Sequence, residues 1–205
     1  MLDKLVALRE RTIFHVAGTR PAVYYIADRD AGGILVNAPP FDESLLAALR
    51  GLAPPAYVFL PSRRGARDLE RWRATAGVES IAFEAEAPYV EGTIDLAVGG
   101  GRKLSRTIDF LPMSGVTEGS CALRIKNDGG AIFFGPVLEP DADGWPTIVP
   151  HADDYSAENR LIGALGLQDQ RFEYAFTDDF EPGRTRFGPG AGKAVNENLL
   201  RLLED

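Results

Sequence analysis

Cysteine and histidine are nearly absent from this 205-residue sequence, which has one Cys (Cys121) and two His (His15 and His151). A single cysteine excludes an internal disulfide framework and a Cys-rich zinc ribbon. No apolar run approaches the roughly 20 residues of a membrane helix. The N-terminal stretch is broken by Asp3, Lys4, Arg9 and Glu10, so it has no signal-peptide apolar core. A cytoplasmic protein without a membrane partner is expected. Positive charge is also short, with 22 Lys and Arg against 30 Asp and Glu and a formal net charge of -8. Nucleic acid, which needs a basic field, is therefore not an expected partner. Gly99-Gly-Gly-Arg-Lys103 lacks the Gly-Lys-Ser/Thr ending of a P-loop and reads as a tight turn. Gly188-Pro-Gly-Ala-Gly192 does not match the dinucleotide fingerprint.

What is present is the composition of a globular chain, 45% hydrophobic and 25% charged, long enough for a sizeable core. One domain over residues 1–205 is expected. Residues 12–17 and 22–27 are β-branched and aromatic around Gly18-Thr-Arg-Pro21, which predicts two strands and a turn. Further strands are expected over 34–36, 56–60, 81–83, 107–111, 121–125, 131–134 and 173–176. Asp42 is placed to cap a helix that carries Leu45, Leu46 and Leu49 before Gly51. Leu69 and Trp72 share a face of a second helix over 67–76. Helices are also expected over 156–165 and 193–203, with an exposed or mobile loop over 178–192. Strand clusters interleaved with helices in two similar halves predict an α/β fold with helices outside the sheets.

Five segments in this order resemble the metallo-β-lactamase superfamily. Gly33-Ile-Leu-Val-Asn37 is similar to an early strand that ends there in aspartate. Tyr57-Val-Phe-Leu-Pro-Ser62 is similar to the strand entering the histidine-rich metal loop. Ser114-Gly-Val-Thr-Glu-Gly-Ser120 resembles Pro-Gly-His-Thr-Pro-Gly-Ser. Ala131-Ile-Phe-Phe-Gly-Pro136 resembles the strand that ends in Gly-Asp, and Pro189-Gly-Ala-Gly192 a late Pro-Gly-His-Gly loop. The resemblance implies a four-layer αββα sandwich and a hydrolase using one or two metal ions. It also assigns Val116, Pro136 and Ala191 to positions that carry metal ligands in the family, while the histidine loop is replaced within residues 61–69. Aliphatic side chains donate no electron pair, and a guanidinium repels a cation. Neither histidine of the chain falls in these loops. No metal and no cofactor is therefore expected, and metal-activated hydroxide is not available by this route.

The remaining candidates are weighed singly. Ser62, Arg63, Arg64 and Asp68 lie where the metal loop would be, and with Thr117 they are the candidate cleft or anion site, since Arg grips carboxylate or phosphate bidentately. A solvated helix start with an Arg64–Asp68 ion pair is the alternative. His151-Ala-Asp-Asp154 is readable as a metal triplet at His151, Asp153 and Asp154, or as a surface histidine before a capped helix. His15, alternating with Phe14 and Val16, reads as a sheet residue, and Cys121 as an inert buried thiol. No catalytic residue or triad is assignable. The expectation is a metal-free, non-catalytic, metallo-hydrolase-like module. Its partner would be an unidentified small molecule or protein, a second copy of the chain included. The alternative is a hydrolase of esters, lactones, thioesters or phosphodiesters with a rebuilt site.

Overall fold

The computed structural model describes residues 1–204 and divides into two compact units, Met1–Gly99 and a second that begins at Gly100. The first is built on a seven-stranded sheet whose strands lie side by side in chain order. Antiparallel neighbours come first: β1 (Leu2–Ala7), β2 (Arg11–Val16), β3 (Val23–Asp28) and β4 (Gly32–Val36). Parallel neighbours follow: β5 (Pro55–Leu60), β6 (Glu79–Phe83) and β7 (Leu96–Val98). The change of direction after β4 requires crossovers, and helices supply two of them. α1 (Glu43–Arg50) starts where the Asp42 carboxylate accepts from the Leu45 amide at 2.7 Å. α2 (Leu69–Ala76) ends at Gly77, a left-handed cap.

One face of this sheet, including Val16, Tyr25, Leu35, Val58 and Ala82, packs with Leu46 and Leu49 of α1 and Leu69 and Trp72 of α2. The period-2 strands and 3.6-residue helices thus place their apolar stripes on a shared core. Trp72 is fully buried and its indole N–H donates to the Pro39 carbonyl at 2.8 Å, so its one polar atom is satisfied. Burial of a side chain that size contributes roughly 3 kcal/mol. The opposite face is buried too and carries His15 of β2 beside Tyr24 of β3.

The second unit holds a four-stranded sheet in the order β13-β10-β9-β8: β8 (Ile108–Pro112), β9 (Cys121–Ile125), β10 (Ala131–Gly135) and β13 (Tyr174–Thr177). A small ladder of β11 (Glu139–Pro140) and β12 (Pro146–Thr147) stands apart. In this sheet β10 and β13 pair in parallel, and the β9–β10 and β8–β9 pairs are antiparallel. Their connection contains α3 (Ala157–Leu165), and α4 (Ala191–Glu204) closes the chain. Ala122, Ile132, Phe134 and Ala175 of the sheet form one core with Ala164 of α3 and Ala191, Val195 and Leu199 of α4.

Three differences from the sequence reading stand out. β1 and β7, both too polar or too short to announce themselves, are added at the edges of the larger sheet. α4 begins at Ala191, so this residue is helical and not part of the loop expected over 178–192. That loop is itself tied down, with the Arg186 amide donating to Gly144 and the Ala175 amide to the Phe187 carbonyl. Among the described residues, no helix is long and apolar enough to cross a membrane.

Candidate functional site

The candidates of the first unit follow β5 in a short 3-10 turn, Arg63–Gly65. Ser62 is fully buried, and its hydroxyl accepts from the Arg64 amide at 3.3 Å. It caps the turn and is not presented to a cleft. Arg63 is committed to Glu86, whose carboxylate is buried; Oε1 accepts from the Arg63 amide at 2.6 Å and from Nε at 3.0 Å. The same guanidinium lies 4.5 Å from the Tyr89 ring centroid. Arg64 is exposed. Asp68 sits at the start of α2 with φ 45°, but its carboxylate does not cap that helix. Instead, Oδ2 accepts from the Phe41 amide at 2.9 Å, so the expected Arg64–Asp68 pair gives way to a tether between two loops.

This geometry also sets the backbone register of the loop. Asn37, in left-handed conformation at φ 65°, donates through Nδ2 to the Ala22 carbonyl at 2.8 Å. A Cβ on Gly65 would sit 1.9 Å from Asn37 Oδ1. Gly65 is therefore required by close approach, and it brings the turn after β5 against the residue that ends β4.

In the second unit, Val116 and Thr117 lie on one tight loop. The Thr117 amide donates to Ser120 Oγ at 2.9 Å, and the two hydroxyls are 2.8 Å apart. Thr117 is thus buried and satisfied locally. Gly115 packs on the backbone of α3, where a Cβ would lie 2.3 Å from Arg160 Cβ. Arg160 is the residue that sequence reasoning missed. Its side chain is fully buried and donates to Val137 O (2.7 Å), Val149 O (2.6 Å), Asp154 Oδ2 (2.9 Å), Pro136 O (3.2 Å) and Glu139 Oε1 (3.1 Å). The planar fork satisfies its donors in one place. Arg160 therefore draws Pro136 and the loop of Val116 towards one helix. The sequence did carry a signal, an arginine beside Leu161 and one turn before Ala164 on an otherwise apolar helix face.

His151 is exposed, its Nε2 2.7 Å from Glu139 Oε1. Asp154 Oδ2 serves Arg160 and the His151 amide, while Ser156 caps α3 by accepting from Asn159 at 3.1 Å. The His151, Asp153 and Asp154 triplet is accordingly not assembled as ligands. Among the described residues, no three His, Cys, Asp or Glu side chains are grouped so as to hold a metal ion. Val116, Pro136 and Ala191 are buried, and none of their side chains offers a lone pair. A zinc ion needs three or four such donors. The donor set does not fit a metal.

Two groups have perturbed acidity worth noting. Burial lowers the pKa of His15 below its usual 6.5, partly opposed by Asp3. Burial pushes the Cys121 thiol far up, which leaves it protonated and unreactive.

Strand order, crossovers and helix positions together define a metallo-β-lactamase fold. A metallo-β-lactamase from Pontibacter korlensis shares it at 14% identity, over 100% of both chains, with a TM-score of 0.72. BJP-1, a subclass B3 metallo-β-lactamase of Bradyrhizobium japonicum, matches at 13% identity over 97% of this chain and 93% of its own (TM-score 0.64). A metallo-β-lactamase of Cronobacter sakazakii, distinguished by a HARLDQ motif, matches at 13% identity over 94% of this chain and 90% of its own (TM-score 0.66). No protein-family model and no curated protein matches the chain.

Proposed function

We propose that this protein is a metal-independent relative of the metallo-hydrolases that acts as a non-catalytic binding module. The observation that carries this reading is the fate of the ligand positions. Val116 and Ala191 are buried aliphatic residues, Pro136 offers Arg160 only its backbone carbonyl, and the loop after β5 spends Arg63 on Glu86 and Asp68 on Phe41. Within the second unit the Arg160 guanidinium cross-links the segments at Pro136–Glu139 and Val149–Asp154, a role that a metal ion can play between loops elsewhere. Elemental analysis of protein purified without chelators is expected to find no stoichiometric zinc, iron or manganese, and EDTA to leave the melting temperature unchanged. Val116→His should not create metal binding, because it supplies one ligand of the three or four required. It should destabilise by about 1–3 kcal/mol, the scale for an unpaired buried polar group. Stoichiometric metal, or a chelator-sensitive melting temperature, would refute the reading.

A second reading, a hydrolase with a displaced site, is favoured by one observation. His151 is held against Glu139, which Arg160 holds in turn, and this orders an exposed imidazole as a general base requires. Turnover of an ester, lactone, thioester or phosphodiester that disappears in His151→Ala would select it over the first.

A further inference from the structure

We infer that the glycine-rich segment after β7 is a processing site for an endoprotease that accepts a basic side chain, cut between Arg102 and Lys103. The binding role proposed above neither requires nor excludes it. Gly99-Gly-Gly-Arg-Lys103, the tight turn of the sequence reading, follows the last strand of the larger sheet and opens the second unit, which begins at Gly100. Gly100, Gly101, Arg102, Lys103 and Arg106 are all exposed. A Cβ added to Gly100 or Gly101 would meet nothing within 4 Å, so the backbone there stands clear of neighbouring atoms.

Hydrogen bonding singles out one peptide bond in this segment. A protease takes its substrate in extended form, so the chain around the scissile bond has to leave whatever holds it. The amides of Gly99, Gly100, Gly101 and Arg102 donate to no group among the described residues. Pairing resumes at Lys103, the antiparallel bridge partner of Asp109, and the Leu104 amide donates to the Ile108 carbonyl at 3.0 Å. The Arg106–Thr107 bond lies deeper in the same turn, with the Thr107 amide on Ser105 Oγ at 3.3 Å. Arg102–Lys103 is therefore the basic bond with the least structure to undo. Asp109 does not shield it, because its carboxylate is held by Arg124 at 2.7 Å and by Lys126 at 3.0 Å.

Basic residues in other turns are held or blocked. Arg20 precedes Pro21, whose ring removes the N–H and fixes φ at the bond to be cut. The Arg29 amide donates to the Glu10 carbonyl at 3.0 Å, and the Asp30 and Ala31 amides donate to Asp28 Oδ1. The Lys126 amide is given to Thr107 O at 2.9 Å, and the Arg184 and Thr185 amides to Glu181 O at 3.1 and 2.9 Å. Position in the chain matters as well. The core residues of the first unit run from Val16 to Val90 and those of the second from Met113 to Leu199, so a cut after Arg102 severs neither core and no helix or strand. Hydrolysis consumes one water: the C–N bond breaks, the water oxygen ends in the new Arg102 carboxylate, and Lys103 gains a free α-amino group.

The test is limited digestion of the folded full chain with trypsin, followed by intact-mass measurement. The first cut should fall between Arg102 and Lys103 and give the fragments 1–102 and 103–205. The double variant Arg102→Gln, Lys103→Gln should slow cutting in this segment by at least about tenfold and leave the melting temperature unchanged, since both side chains are exposed. Urea below the unfolding transition should not alter the cutting rate, once trypsin's own activity is corrected with a small peptide substrate, because the bond is reached from the folded chain. A first cut at another Arg or Lys, or a double variant cut as fast as the parent, would overturn the proposal. So would a rate that climbs with urea as global unfolding does, or a folded parent that stays whole under conditions that digest its urea-unfolded form.

Discussion

Replacing Arg160 by methionine should be among the most damaging single changes in the second unit. Methionine has similar length, so the loss is mainly electrostatic and leaves little cavity. The variant strips hydrogen bonds from three carbonyls, those of Pro136, Val137 and Val149. It also leaves two carboxylates without their cation. The Asp154 side chain is only 3% exposed and that of Glu139 18%. Breaking a buried ion pair from one side costs about 3–5 kcal/mol, because the surviving charge stays buried. In a chain this size that corresponds to a fall in melting temperature of roughly 10–15 °C if the chain unfolds as one. Thermal and urea denaturation followed by circular dichroism would measure it. The decisive arm is the double variant Arg160→Met, Asp154→Asn. Removing the stranded charge should return part of the lost stability, so the double variant is more stable than Arg160→Met alone. A loss below about 1 kcal/mol, or a double variant no better than the single one, would refute the claim that this ion cluster holds the loops together.

Two further outcomes are expected. Gly115→Ala should cost about 2–3 kcal/mol, since the new Cβ would lie 2.5 Å from Arg160 Cα and only backbone movement can relieve it; denaturant midpoints would show this, and parent-like stability would contradict the packing. For His15 the folded pKa lies below the unfolded value of about 6.5, so the unfolded chain binds the proton more readily. Its contribution is therefore complete above that value and is lost as pH falls through and below it. Urea midpoints between pH 8 and 5 should drop more steeply for the parent than for His15→Gln, and parallel profiles would overturn the assignment.

Much of the fold could be read locally because it is made from local signals. The apolar alternation of β2 and β3, the Asp42 cap and the Leu69–Trp72 spacing are each confined to a few residues, and each reappears in the structure. β1 was not legible, since Leu2, Lys4 and Val6 alternate only weakly and its bulge between Lys4 and Val6 breaks the period. The order of motifs also indicated the metallo-β-lactamase fold, which the solved structures share; on that resemblance the side chains of Val116, Pro136 and Ala191 are the ones compared with ligands. Sequence alone decided what these three side chains lack, because no tertiary arrangement can lend a lone pair to a valine or alanine side chain.

Tertiary structure decided the partners. Arg63 and Glu86 are 23 residues apart, Asp68 and Phe41 are 27, and Arg160 gathers groups between Pro136 and Asp154. Such pairings depend on how loops return to one another, which no local periodicity encodes. They separate arginines of identical composition into those consumed by the fold, such as Arg63 and Arg160, and those such as Arg67, for which no ion pair forms among the described residues. A charge's availability depends on which carboxylates the chain brings within reach, and in this protein that is settled by loop packing at the ends of β4, β5 and β10.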